Sequence, residues 1–319
     1  HTGSFQFVRP SLGAWTLYGL GTENQNLPGF VALNPPVGSA QSFGSAFLPA
    51  IYQGTPIGSS IRGGRGSDDA EKEKFPNIKN SKLTTTQQRK QLDLLQSLNR
   101  NKLQRDQYQP QVEGMIESFE LAFRMQSAMP EVMDLSKESP KTQEMYGLGD
   151  STTDEFGRQC LLARRMAEAG VRFIECTSNG WDHHTNLKEE MDDHCAQIDK
   201  PIAGLLADLK QRDMLKDTLV IWAGEFGRTP HGQNGDGRDH NQKGYTTWMA
   251  GGGVKGGFSY GSTDDYGYEA VTGRMHIHDW HATIMHLLGF DHEKLTYTYA
   301  GRDFRLTDVH GNVAHDIIA

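Results

Sequence analysis

A chain of 319 residues with 36% hydrophobic and 23% charged residues can bury one large core or two smaller ones. Its net charge of −8 speaks against general nucleic-acid binding, which needs a basic surface, and no apolar run approaches the roughly 18 residues of a membrane span. The 36 glycines and modest hydrophobic content describe a loop-rich α/β protein with polar excursions, not a disordered chain.

Residues 1–60 are rich in Gly, Pro and aromatics. The apolar run Phe30-Val31-Ala32-Leu33 reads as a strand that Asn34-Pro35-Pro36 stops. The opening residues resemble the interior of a fold, so the chain reads as N-terminally incomplete. Residues 62–83 are polar and charged and read as an exposed loop. After Thr84-Thr85-Thr86, residues Leu92, Leu94, Leu95 and Leu98 mark a helix; a second follows Pro110, with Val112, Met115, Ile116, Phe119, Ala122 and Phe123 at helical spacing. Residues 62–150 thus form a loop and helical insertion within a single domain spanning 1–319. Eleven Lys/Arg against five Asp/Glu over 62–105 read as a solvated helix face or, more sharply, as a basic lid that attracts anions.

From residue 153 the pattern becomes α/β. Asp154 caps a helix with Cys160, Leu161, Ala163, Met166 and Ala167 on its apolar side, closed by Gly170. Residues 171–176 form the next strand and 187–212 a long helix. Residues 218–223 read as a central parallel strand, 246–250 as a third strand, and 279–288 as a helix closed by Gly289. Alternation of this kind predicts a mostly parallel sheet with helices on both faces. Cys160, Cys176 and Cys195 form no CxxC pair and read as buried apolar thiols.

Twelve of the thirteen histidines lie between His183 and His315. Open α/β sheets bind ligands beyond the C-terminal ends of their strands, and three polar segments are expected near such ends: Gly180-Trp181-Asp182-His183-His184, Gly224-Glu225-Phe226-Gly227-Arg228 and Gly237-Arg238-Asp239-His240-Asn241. Each brings a carboxylate and two bring imidazole beside it, a mixture that suits a divalent ion. Asp182, His183, His184, Glu225, Asp239 and His240 are therefore the candidate ligands. Arg228 and Arg238 are candidate clamps for an anionic ester, because guanidinium matches sulfate and phosphate in a bidentate fashion. A structural hydrogen-bond network is the plainer reading of the same residues. His276 and His278 read as outer-shell or surface groups, and His281 and His286 as core or surface. The stretch from Gly251 to Gly256 matches GxGxxG, but no helix is expected after it, and no GxSxG elbow occurs.

These segments, with Arg9-Pro10-Ser11-Leu12-Gly13-Ala14-Trp15, Tyr18-Gly19-Leu20-Gly21 and Asn24-Gln25-Asn26-Leu27-Pro28-Gly29-Phe30-Val31, resemble the domain of unknown function family 1501, often labelled sulfatase-like. The resemblance spans nearly the whole chain. It implies an alkaline-phosphatase-like fold and metal-dependent hydrolysis of sulfate or phosphate esters. It further implies a periplasmic or otherwise exported protein acting on an anionic small molecule or polysaccharide, with zinc or calcium as the divalent metal. By the same resemblance, His240 sits like the superfamily's late metal-binding His, and Asp182 with His184 or His183 like its earlier ligands. Glu225-Phe226 replaces an Asp-His pair. The nucleophile position before Pro10 is Val8, which leaves Thr2 and Ser11 as fallback nucleophiles. A catalytically degenerate exported protein that keeps the fold and binds a partner is the alternative.

Overall fold

A computed structural model describes residues 1–4, 6–36, 38–58, 82–106 and 110–319. The chain is a mixed α/β protein that divides into two compact units. The first comprises His1–Lys137, Leu162–Thr177 and Tyr297–Arg302; the second comprises Glu138–Leu161, Ser178–Thr296 and Asp303–Ala319.

The first unit is built around a three-stranded parallel sheet. Strand β1 (Phe30–Leu33) lies between β2 (Thr55–Ile57) and β3 (Phe173–Cys176), with Val31 opposite Thr55 and Phe30 opposite Phe173. All four residues of β1 are buried, as a continuous apolar run in the middle of a parallel sheet demands. Helix α1 (Leu12–Leu20) packs against this sheet through Gly13, where any side chain would overlap the Phe30 and Phe173 rings. Those two rings meet edge to face at 4.9 Å.

Helices α2 (Thr85–Asp106) and α3 (Pro110–Met133) follow the predicted positions. Arg89 donates to both carboxylate oxygens of Glu120 at 2.8 and 2.9 Å, and Gln96 donates to the Ile116 carbonyl at 2.7 Å, so the pair runs antiparallel. Of the predicted exposed loop at 62–83 and the basic stretch at 62–105, residues 62–81 lie outside the described residues.

The second unit holds the short α4 (Pro140–Met145), while α5 (Asp154–Glu168) begins in it and ends in the first unit. The end of α5 is the predicted glycine stop: Gly170 has φ +85°, Val171 N–H bonds to the Met166 carbonyl at 2.9 Å and Gly170 N–H to Ala167 at 3.0 Å. Helix α6 (Leu187–Gln211) carries Asp208, which accepts from the buried Tyr146 hydroxyl at 3.0 Å and from Arg212 at 2.8 Å.

The strands of this unit pair two by two and antiparallel. They are β4 (Val220–Trp222) with β7 (Trp248–Ala250), β5 (Gly227–Gln233) with β6 (Gly237–Asn241), and β8 (Ser262–Thr263) with β9 (Ala270–Thr272). Helix α7 (Ile277–Leu287) follows in this unit, whereas the chain returns to the first unit at β10 (Tyr297–Tyr299), which pairs with β11 (Arg302–Phe304).

Two expectations change here. Residues 218–223 are not the centre of a parallel sheet: β4 has one antiparallel partner and Trp222 is 37% exposed. A short apolar run carries no information on strand direction, which is why the sequence misleads. The thiols also differ from one another, since Cys160 is buried, Cys176 half-buried and Cys195 exposed. Gly251, Gly252 and Gly253 all have positive φ in a turn, and no helix opens after them. No helix among the described residues is long and apolar enough to cross a membrane.

Candidate metal centre

Two of the three polar segments meet as a hairpin. Strands β5 and β6 pair around Asn234 and Gly235, both at positive φ, with Arg228 opposite His240 and Gln233 opposite Gly237. The Asn-Gly dipeptide is a strong hairpin signal. It shows that residues 227–233 and 237–241 are themselves strands and do not trail from the ends of parallel ones.

The third segment, residues 178–186, is a loop leading into α6 that lies against this hairpin. Arg238 N–H donates to the His183 carbonyl at 3.0 Å. Gly237 makes the approach possible, because a side chain there would collide with the His184 carbonyl.

This junction brings three ligand atoms together. His240 Nε2 lies 2.9 Å from Asp182 Oδ1, His184 Nε2 lies 3.1 Å from the same oxygen, and the two imidazole nitrogens are 3.1 Å apart. Among the described residues, Asp182, His184 and His240 are the group of three or more His, Cys, Asp or Glu side chains that could hold a metal ion. The side chains of Asp182, His184 and His240 are 61%, 35% and 44% exposed, so the cluster opens to solvent. Arg228 Nη2 donates to Asp182 Oδ1 at 2.7 Å and to the Trp181 carbonyl at 3.2 Å. The hydrogen bond from His240 and the neighbouring guanidinium hold the Asp182 carboxyl down to about 2. The Phe226 ring lies against His240 with centroids 4.1 Å apart, and Arg228 stands over the same ring at 5.6 Å.

The remaining candidate residues lie elsewhere. His183, proposed as an equal contender for the metal, is 2% exposed and turns away from the triad. Its ring sits among Trp181 and His194, with Nε2 3.6 Å from Glu190 Oε2. The His184 N–H bonds back to the Asp182 carbonyl at 3.0 Å, a tight turn with His183 at its apex, so the side chains of 182 and 184 converge while that of 183 points elsewhere. Asp239 accepts from the His240 backbone N–H at 2.8 Å, and Glu225 is exposed; neither belongs to the triad. Arg238 spends Nη1 on the carbonyls of Asp236 and Gly237. Ser11 is buried at the start of α1, where its hydroxyl accepts from Ala14 N–H at 3.3 Å as the helix cap.

Of the other histidines, His281 is buried in α7, and that burial pushes its imidazole down to about 3. His276 caps the same helix by accepting from the His278 N–H. The sequence reading missed Gln233, whose Oε1 lies 2.6 Å from His184 Nδ1. No local motif marks it; only the hairpin brings it there.

Among known proteins, the family model described as protein of unknown function (DUF1501) matches residues 1–318. No curated protein and no solved structure matches the chain.

Proposed function

This chain belongs to the DUF1501 family, and from that premise we propose that Asp182, His184 and His240 hold a divalent cation in a site that hydrolyses sulfate or phosphate esters. The observation that carries this reading is the convergence of one carboxylate oxygen and two imidazole nitrogens within 2.9–3.1 Å of one another. A tetrahedral ion bound at about 2.0–2.2 Å spaces its ligands about 3.3 Å apart, so the triad needs to open by only a few tenths of an ångström. Two nitrogens and one oxygen suit zinc better than calcium, which takes six to eight oxygen ligands. The sulfatase-like, alkaline-phosphatase-superfamily assignment is part of the same proposal, and rests on the motifs around Asp182, His184 and His240.

A cation held there would supply Lewis acidity toward an ester oxygen and lower the pKa of a water in its open position. The chain's own groups prepare for this. Asp182 stays ionised far into the acid range because Arg228 and His240 favour its charge. The Arg228 guanidinium sets a fixed positive charge at the edge of the site, which draws in an anionic ester. The Phe226 ring covers one side of His240, so substrate approaches from the open side. Among the described residues, no Ser, Thr or Cys side chain hydrogen-bonds to the triad. In this reading the nucleophile is a water that the cation would polarise. The substrate is an anionic small-molecule or polysaccharide ester, met in the periplasm or outside the cell.

A second reading, an exported binding protein that has lost catalysis, is favoured by Phe226 standing where the superfamily has a ligand His and by Arg228 being paired with Asp182. Elemental analysis of the purified protein beside Asp182→Ala and His240→Ala separates the two. About one zinc per chain, lost in both variants, supports the hydrolase and is followed by a screen of aryl sulfates and phosphates. A metal-free, folded protein turns the assignment to the binding protein.

A further inference from the structure

We infer that Gln233 is a positioning residue for this cation site: its side-chain oxygen fixes the His184 ring in the tautomer whose Nε2 offers a lone pair to the ion. This rests on the cation reading above and adds to it a residue outside the triad. His184 Nδ1 lies 2.6 Å from Gln233 Oε1. An amide oxygen only accepts, so Nδ1 must carry the proton of that hydrogen bond. A neutral imidazole has one N–H, which leaves Nε2 as an acceptor. It is Nε2 that stands 3.1 Å from both Asp182 Oδ1 and His240 Nε2. In the opposite tautomer Nε2 would point a proton at the ion.

The backbone makes Gln233 a fixed point. It is the last residue of β5, it pairs with Gly237 across the hairpin, and the positive-φ residues Asn234 and Gly235 follow it at once. Gly237 lets the His184 carbonyl come against the turn, and this contact seats the His184 ring beside the Gln233 amide. Metal-binding histidines commonly donate their second ring N–H to such a partner, and losing it costs about 10–100-fold in metal affinity. The same amide turned over would present its NH2 to Nδ1 and select the wrong tautomer, so the inference is open to direct measurement.

The test uses zinc as the probe and three variants, Gln233→Leu, Gln233→Glu and Asp182→Ala. Zinc affinity is read by competition with a chromophoric chelator. The His184 tautomer is read on the metal-free protein by two-bond proton–nitrogen correlation NMR. The expected result is an Nδ1-protonated His184 in the wild type and in Gln233→Glu, with affinities within a few-fold of each other. In Gln233→Leu the Nδ1-protonated form loses its dominance, and zinc binds about 10–100-fold more weakly. Wild-type protein that binds zinc with the same affinity as Gln233→Leu, or that shows an Nε2-protonated His184, overturns the role of Gln233 and leaves the triad standing. Wild-type protein that binds no more zinc than Asp182→Ala overturns the cation reading itself.

Discussion

The sheet of the first unit and the hairpin of the second solve opposite problems. Around β1, every side chain from Phe30 to Leu33 is buried, the strands are parallel, and a glycine in α1 lets helix and sheet touch. Around β5 and β6, the pairing is antiparallel, the side chains are polar, and the three convergent candidate ligand atoms face solvent. The first arrangement gains its free energy from area removed from water. The second gains little from burial and holds its geometry through backbone turns and hydrogen bonds. Stability in the one region and the polar candidate site in the other are thus held by different forces, so that substitutions in the two regions are read by different assays.

The largest effect expected on that contrast comes from Phe30→Ala. Removing a fully buried ring that meets Phe173 should cost about 3–5 kcal/mol in denaturant unfolding, with the change confined to the midpoint and not the slope. A loss below about 1 kcal/mol would break the comparison at its strong end.

An intermediate effect belongs to Glu175, whose carboxyl burial lifts from 4.5 to about 7. The folded state then binds the extra proton between those values, so its stability falls as pH rises from about 4.5 through about 7 and stays low above. Glu175→Gln should therefore stabilise the protein by about 1–3 kcal/mol at pH 8 and leave it unchanged near pH 4. A pH-independent difference between the two proteins would contradict the burial of this carboxyl.

The smallest stability effect is expected at the site. Asp182→Ala removes an exposed carboxylate and should move metal-free stability by no more than about 0.5 kcal/mol. A cost near that of Phe30→Ala would show that the hairpin region depends on this one oxygen for its fold, which erases the contrast.

How much of this was legible beforehand differs by region. The β1 strand, the long α6 helix and the glycine stops at Gly170 and Gly289 followed from local rules, because burial pattern and φ preference are local properties. Asp182, His184 and His240 were also among the residues chosen, and the structure unites them. The strand-end argument holds for Asp182 and His184, which follow the C-terminal end of the parallel strand β3, and fails for His240. His240 reaches them because Asn234-Gly235 folds a hairpin against that loop, and not from the end of a neighbouring parallel strand. His183 was grouped with its neighbours because sequence adjacency hides the tight turn that separates its side chain from those of Asp182 and His184. Gln233 could not be found from sequence at all. Its relation to His184 spans 49 positions and is set by the register of the turn.

The contact between Gly237 and the His184 carbonyl, with the Arg238 N–H bonded to the His183 carbonyl, has a mechanical consequence. Loop and hairpin share these joints, so neither opens without breaking them, and the segments that carry Asp182, His184 and His240 form one cooperative unit of local unfolding. Displacing the loop backbone therefore separates Asp182 and His184 from His240 in a single step.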